Sequence, residues 1–319
     1  MTWIIGRTEA ALLADIPDIE FIIFDKSRGR KAYADVRRTL AGRRFDAALC
    51  MHASLRANLL YPLIRTRLRI GYDFTRARDF QWLVTNRRIP LQQNQHVQDA
   101  MLAFARYIGV PERPLRWDIP LADAQREFAA RYADHERPLF LISPCSSQRL
   151  RNFRNWSVEN YAAAARHAQQ KYGCRVVVTG GPTALEADYG RAIVRLAGAD
   201  AVDLVGRTSL KELLALIDAA AVLLCPDSGP VHLATTVRTP VIGLYAGSNP
   251  ARTGPYFSRG SCVNAYPEAV RRYLGKEPDS LRWGQRVRDP GVMGLIRLAR
   301  VNACIDSLLD PARTRVQSA

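Results

Sequence analysis

"CPDSGPVHLATTVRTPVIGLYAGSNPARTGPY", residues 225–256, joins two apolar runs through a loop dense in polar chemistry. The run AAAVLLC (219–225) stops abruptly in Pro-Asp-Ser-Gly-Pro. A histidine and a small-residue segment follow, and then PVIGLYA (240–246) begins. Short apolar runs bounded by turn residues read as buried strands, and the segment between them reads as a turn and a helix. A strand–turn–helix–strand order of this kind belongs to a parallel α/β sheet.

The alternation continues in both directions. Towards the N-terminus, strand-like runs lie at TWIIG (2–6), IEFIIFD (19–25), FDAALCM (45–51) and RLRIGYD (67–73). Helical stretches separate them: TEAALLADI, AYADVRRTLAG and ASLRANLLYPLI, with HVQDAMLAFARYIGV (96–110) after the last. Residues 111–125 are proline-rich without a clean period and read as a linker. The pattern restarts with PLFLISP (138–144), a helix over 158–171, CRVVVTGG (174–181), a helix over 185–196, AVDLVG, a helix from Leu210, and the opening stretch. The expectation is an α/β protein of two Rossmann-like domains, 1–125 and 126–319, with parallel sheets facing a cleft between them.

Bulk properties narrow the partners. The 319 residues carry 46 Lys and Arg against 30 Asp and Glu, a formal net charge of +16. This excess suits an anionic partner, or it is a solvated arginine-rich surface. No basic run is interleaved with aromatics and no helix-turn-helix stands out, so nucleic acid is not expected. No apolar run approaches the roughly 20 residues that span a bilayer, and no signal peptide opens the sequence. The six cysteines are scattered without a C-x-x-C pair, which reads as reduced core residues of a cytoplasmic protein.

In open α/β sheets the ligand lies beyond the carboxyl ends of the strands. Three such loops carry chemistry. The loop after PLFLISP, residues 145–161, holds Ser146, Ser147, three arginines including Arg154, and a helix start at Ser157 with Asn160 three residues on. Arginines and hydroxyls at a sheet end suit phosphate; a capped helix beside a solvated basic loop is the alternative. After CRVVVTGG, Glu186 is either a ribose contact or a first-turn glutamate favoured by the helix dipole. In the opening stretch, Asp227, Ser228 and Gly229 lead into a helix whose free N–H groups suit a phosphate, with His232 on its first turn. Asp227 would hold a sugar hydroxyl or orient the histidine. Its alternative role is that of a helix cap beside a core histidine.

The opening stretch resembles the signature of the glycosyltransferase family 9 heptosyltransferases, roughly D-[ST]-G-x-x-H-x-A-A followed by P-x-[IV]-x-L-[FY]-G. Thr235 stands for one alanine, and Ala246-Gly247 shifts the loop slightly. The R-N-W of residues 154–156, VVVTGG with Glu186, and the tail LRWGQRVRDPGVMGLI resemble further family blocks. The resemblance implies a GT-B fold and inverting transfer of heptose from ADP-heptose to the inner core of lipopolysaccharide. It implies no metal and no cofactor beyond the nucleotide-sugar. Ser146, Ser147, Arg154, Glu186, Asp227, Ser228, Gly229 and His232 would bind the donor. The acceptor would be an anionic, lipid-linked core oligosaccharide, reached from the cytoplasm with peripheral contact at the inner membrane.

The same resemblance implies a first strand and a loop carrying a general-base aspartate. TWIIG reads as the family's second strand, so that strand, loop and aspartate have no counterpart here, and the N-terminal sheet is expected to lack a central strand. Asp25 ends a strand without the glycine context, so no catalytic residue is assigned. The alternative expectation is a shortened, catalytically weak homologue that binds nucleotide-sugar or phosphoglycan. An epimerase-like enzyme is a third reading, but its acids do not appear.

Overall fold

A computed structural model describes residues 1–133, 136–146 and 152–310. The chain divides into two units, Met1–Pro120 and Leu121–Ala319.

Unit 1 contains five strands: β1 (Thr2–Gly6), β2 (Glu20–Phe24), β3 (Phe45–Leu49), β4 (Thr66–Gly71) and β5 (Arg87–Arg88). Every pairing is parallel. β1 pairs with β2, and β3, β4 and β5 pair in that order as a separate sheet. β5 is two residues long, too short to leave a pattern in the sequence. The two sheets share apolar packing: Ile22, Phe24, Val36, Leu40 and Leu60 cluster with Ile4 and Phe45. The expected helix at ASLRANLLYPLI is broken. A turn of helix at Leu55–Asn58 is followed by a 3-10 turn at Tyr61–Leu63. Pro62 has no N–H, and its ring collides with the carbonyl of Asn58 four residues back, so a continuous helix cannot form there.

The expected domain border at 125/126 falls inside a helix, Asp123–Ala130, which packs against the helix Leu210–Ala219 of unit 2. The irregular linker therefore ends at Pro120, and residues 121–125 belong with the second unit.

Unit 2 is built on one six-stranded parallel sheet. Its strands are β6 (Leu139–Ile142), β7 (Arg175–Val178), β8 (Ala201–Asp203), β9 (Val222–Pro226), β10 (Val241–Tyr245) and β11 (Val263–Asn264). Their order is β11-β10-β9-β6-β7-β8. β6, β9 and β10 are buried at every residue, as strands covered on both faces must be. Successive side chains separate into two cores. Phe140, Ile142, Val176, Val178, Leu224 and Ile242 lie on one side with Trp156 and Tyr161. Leu139, Leu141, Val177, Leu223, Cys225 and Val241 lie on the other with Leu216 and Val231.

The helices Val158–Tyr172, Ala184–Ala197 and Leu210–Ala219 begin on Ser157, Thr183 and Ser209, whose hydroxyls each accept a backbone N–H three residues on. Two C-terminal helices, Tyr266–Leu274 and Leu298–Leu309, complete one face; Asp306 ties the last to His167, Lys171 and Tyr172. All six cysteines are free thiols, four of them buried. Among the described residues no helix is long and apolar enough to cross a membrane.

Candidate active site

Chain order reverses direction across the unit 2 sheet between β6 and β9. From β6 the chain moves outward to β7 and β8, then returns to β9 and continues the other way. Loops leaving β6 and β9 therefore diverge and open a crevice at their carboxyl ends. The residues singled out in the sequence around Ser146, Arg154 and Asp227 meet there.

The loop after β6 is pinned at both ends. The Ser146 N–H and hydroxyl both donate to Asn155 Oδ1, at 2.9 and 3.1 Å, and Asn152 Nδ2 donates to Ser146 Oγ at 2.7 Å. Trp156 is buried, packs edge-on against Tyr161 with ring centroids 5.3 Å apart, and donates its indole N–H to the Ile296 carbonyl. This anchor fixes the register of Arg154, two residues before it. Ser147 lies outside the described residues.

Arg154 crosses from this loop to the one after β9. Its Nη1 donates to the Asp227 carbonyl at 2.7 Å and to Asp227 Oδ2 at 3.1 Å, and its Nε donates to Asn152 Oδ1 at 2.9 Å. Both side chains are largely covered, at 15% and 8% exposure. Asp227 Oδ2 also accepts from Ser248 Oγ at 2.8 Å, and Arg286 Nη2 stands 3.9 Å from it. Two guanidiniums therefore stand around one carboxylate in a partly desolvated site, where charge acts more strongly than in water. Arg154 Nη2 makes no hydrogen bond among the described residues.

The helix Gly229–Val237 starts beside this pair. Its N-cap, Ser228, makes no side-chain cap and turns its hydroxyl to the Pro226 carbonyl. A Cβ built on Gly229 would meet nothing within 4 Å, so space is open in front of the helix start. An uncapped helix start beside a fixed arginine is a site for an anion. His232, on the first turn, is exposed on one side. The protein enclosing its other sides disfavours the charged ring and pushes its pKa below the ordinary value of 6.5, while the Asp227 carboxylate pulls the other way. Desolvation is the larger effect, so the charged ring is disfavoured.

The structure gives two expected residues specific work. Glu186 forms a capping interaction at its helix start: Oε1 accepts the Gly181 N–H at 2.9 Å and Oε2 accepts the Thr183 hydroxyl at 2.6 Å. Asp227 bonds Arg154 and Ser248, and among the described residues none of its hydrogen bonds goes to His232. Sequence reasoning missed Asn152, Asn155, Ser248 and Arg286. Ser248 sits in the decisive stretch, two residues beyond its second apolar run, and Asn152 and Asn155 flank Arg154.

Comparison with known proteins identifies the family. Residues 33–276 match the family described as glycosyltransferase family 9 (heptosyltransferase). The lipopolysaccharide core heptosyltransferase OpsX of Haemophilus influenzae is 38% identical over 301 residues, covering 94% of this chain and 86% of that protein. Among solved structures, the family 9 glycosyltransferase of Veillonella parvula superposes with a TM-score of 0.75 at 19% identity, over 97% of this chain and 87% of that one. The ADP-heptose lipopolysaccharide heptosyltransferase II of Escherichia coli gives a TM-score of 0.67 at 19% identity, over 100% and 90%. The fold is the α/β, GT-B type of those structures. With a matched span of this length and a relative this similar over nearly its whole length, the chain belongs to glycosyltransferase family 9, the heptosyltransferases.

Proposed function

We propose that this protein transfers heptose from ADP-heptose to the inner core of lipopolysaccharide, with inversion at the anomeric carbon. The observation that carries the reading is the uncapped start of the helix Gly229–Val237 beside Arg154, itself held by Asp227. The donor diphosphate accepts hydrogen bonds from that helix start and from the Nη2 edge of the Arg154 guanidinium. An acceptor hydroxyl attacks the anomeric carbon, giving up its proton to solvent, as the carbon–oxygen bond to the diphosphate breaks and ADP leaves with the bonding pair. Charge then grows on the departing ADP, and prepositioned donors in a desolvated site stabilise it without reorganising. The positive charge from Arg154 and Arg286 does this work, so the reaction needs no metal and no cofactor beyond its donor. EDTA is expected to leave the rate unchanged.

The acceptor is anionic and lipid-linked, which suits a chain with a formal charge of +16 and brings it to the cytoplasmic face of the membrane. The relatives named above are described as acting on lipopolysaccharide core or as using ADP-heptose. Calorimetric titration with ADP, followed by mass spectrometry of a heptose-free core acceptor after incubation with ADP-heptose, tests the reading. Arg154→Ala should weaken ADP binding at least tenfold, by loss of one charge-assisted contact worth about 1.5–3 kcal/mol, and Arg37→Ala should not. Equal effects of the two variants, or ADP binding without transfer, would overturn it.

A further inference from the structure

In unit 1, the segments carrying the helical turns Leu55–Asn58 and Gln81–Val84 have their polarity inverted. Their amides are inside. Asn58 is buried and donates to the Arg78 and Asp79 carbonyls at 3.0 and 2.7 Å. Gln81 is fully buried, donates to the Cys50 carbonyl at 2.8 Å and accepts the Tyr72 N–H at 3.2 Å. Ala57 and Val84 pack inward on the cluster around Tyr61, but four larger apolar side chains are outside: Leu55 is 56% exposed, Leu59 54%, Phe80 64% and Leu83 64%. A core-forming pair of turns would be built the other way round.

The display is held rigidly and at a cost. The Asp79 carboxylate accepts the Leu55 N–H at 2.9 Å, so the two segments are joined directly. Asp79 and Phe80 have φ of 51° and 64°, in the left-handed region. That conformation is unfavourable for L-residues and more so for a bulky one. Strained backbone that presents a phenyl ring to water needs a compensating role, and contiguous exposed apolar groups mark an interaction surface.

The surrounding charge selects the partner. Between residues 52 and 91 there are eight arginines and two acids, Asp73 and Asp79. Asp73 is engaged by Arg76, and the Asp79 carboxylate by the Leu55 N–H. Arg56 and Arg78 sit exposed within the apolar group itself. Two copies of such a surface would repel each other. A surface offering apolar depth beneath anionic headgroups satisfies both features at once.

We infer that the inverted turns around Asn58 and Gln81 form a membrane-docking platform, which inserts Leu55, Leu59, Phe80 and Leu83 beneath anionic lipid headgroups that Arg56 and Arg78 engage. The platform deepens the proposed use of a lipid-linked acceptor by naming the surface that meets the lipid, and its test reads binding, not transfer.

The purified chain is floated with vesicles of phosphatidylcholine alone or mixed with phosphatidylglycerol. The mixed vesicles should retain it and the neutral ones should not. Leu55→Ser with Leu83→Ser should weaken partitioning by about tenfold, since each leucine buried in lipid contributes apolar transfer energy. Phe80→Asn, which keeps a residue tolerant of the left-handed conformation, should also weaken it. Arg56→Ala and Arg78→Ala should each cost about fivefold and only with anionic vesicles. Leu196→Ser, an exposed leucine of unit 2, should change nothing. ADP affinity should stay intact in every variant, so a failed donor reading is seen separately. Wild-type chain that ignores anionic vesicles, leucine variants that bind them as wild type does, or a dimer in sedimentation that those variants abolish would each overturn the platform.

Discussion

Arg154 and Asp227 are the residues on which the site turns, and their bonds make them hard to vary separately. Asp227 is buried and holds Arg154 through two bonds while also accepting from Ser248. Removing the guanidinium in Arg154→Ala leaves a desolvated carboxylate short of its main partner, so the variant should lose about 3 kcal/mol of stability as well as ADP affinity. Thermal melting beside ADP titration separates the two losses. Arg154→Lys keeps the charge but cannot reach Asn152, the Asp227 carbonyl and the Asp227 carboxylate together, so its ADP affinity should fall between wild type and Arg154→Ala. His232 gives a second test. Its pKa lies below 6.5 because desolvation outweighs the attraction of Asp227. A bound diphosphate adds negative charge nearby and should raise that pKa, so ADP should bind more tightly as pH falls below 6.5. The unfolded chain takes up this proton first, so the same group makes folding weaker as pH falls from 6.5 towards its folded value. Imidazole proton shifts followed by NMR with and without ADP would read the change; an unmoved His232 would remove it from the donor site. At this scale the sequence was readable where a residue type has one strong use. Arg154, Ser146 and Asp227 came together because a basic loop and an acidic turn both followed apolar strands. For Glu186, Thr183 three residues before it is the sequence pattern of a capping box, and the structure makes one half of it: the Glu186 N–H donates to the Thr183 hydroxyl, while the carboxylate accepts the Gly181 N–H and the Thr183 hydroxyl.

At the scale of elements, the helix Gly229–Val237 differs from those that begin on Ser157, Thr183 and Ser209. Those three have a hydroxyl cap and this one has none. Gly229 makes the difference testable. A Cβ there meets nothing within 4 Å, and Gly229 is not among the glycines with positive φ. Gly229→Ala should therefore leave the fold intact and raise its stability by about 0.4–1 kcal/mol, through a less flexible unfolded chain. The added methyl group would stand where a diphosphate must approach the backbone, so ADP affinity should fall. Higher melting temperature with weaker ADP binding is the expected pair of results. Unchanged affinity would move the diphosphate away from this helix start. The strands of unit 2 were legible because a doubly covered parallel strand is apolar at every position, as in LFLI and VIGLY. β5 and β11 were not, since two residues carry no period. The C-terminal helices were missed for another reason. The segment before them is broken by glycines and prolines, and the apolar spacing of Val301 and Ile305 becomes meaningful only when both pack on the sheet. The inverted turns of unit 1 could not be read at all, because an apolar pattern is taken to face inward until burial shows that Asn58 and Gln81 do.

For the whole molecule, the two units differ in how their apolar residues are gathered. Unit 1 holds three small clusters, around Ile22 and Val36, around Ile70 and Phe104, and around Ala48 and Tyr61. Its strands form two sheets, each short. Unit 2 has a large cluster on each face of one six-stranded sheet. Stability grows with the apolar area that a unit removes from water, and a small divided core protects little backbone from opening. Heating should therefore give two calorimetric transitions rather than one, with unit 1 melting first. The donor site described above lies wholly in residues of unit 2, so ADP should act on one transition alone. A ligand that binds only the folded form stabilises by RT ln(1 + [L]/Kd), about 2.7 kcal/mol at a hundredfold excess over Kd. The upper transition should move upward with ADP concentration while the lower one stays in place. Arg154→Ala should shrink that dependence, and Arg37→Ala should preserve it. A single transition shifted as a whole by ADP would mean that the units unfold together, and a shift confined to the lower one would place the nucleotide in unit 1 and overturn the site built around Arg154 and Asp227.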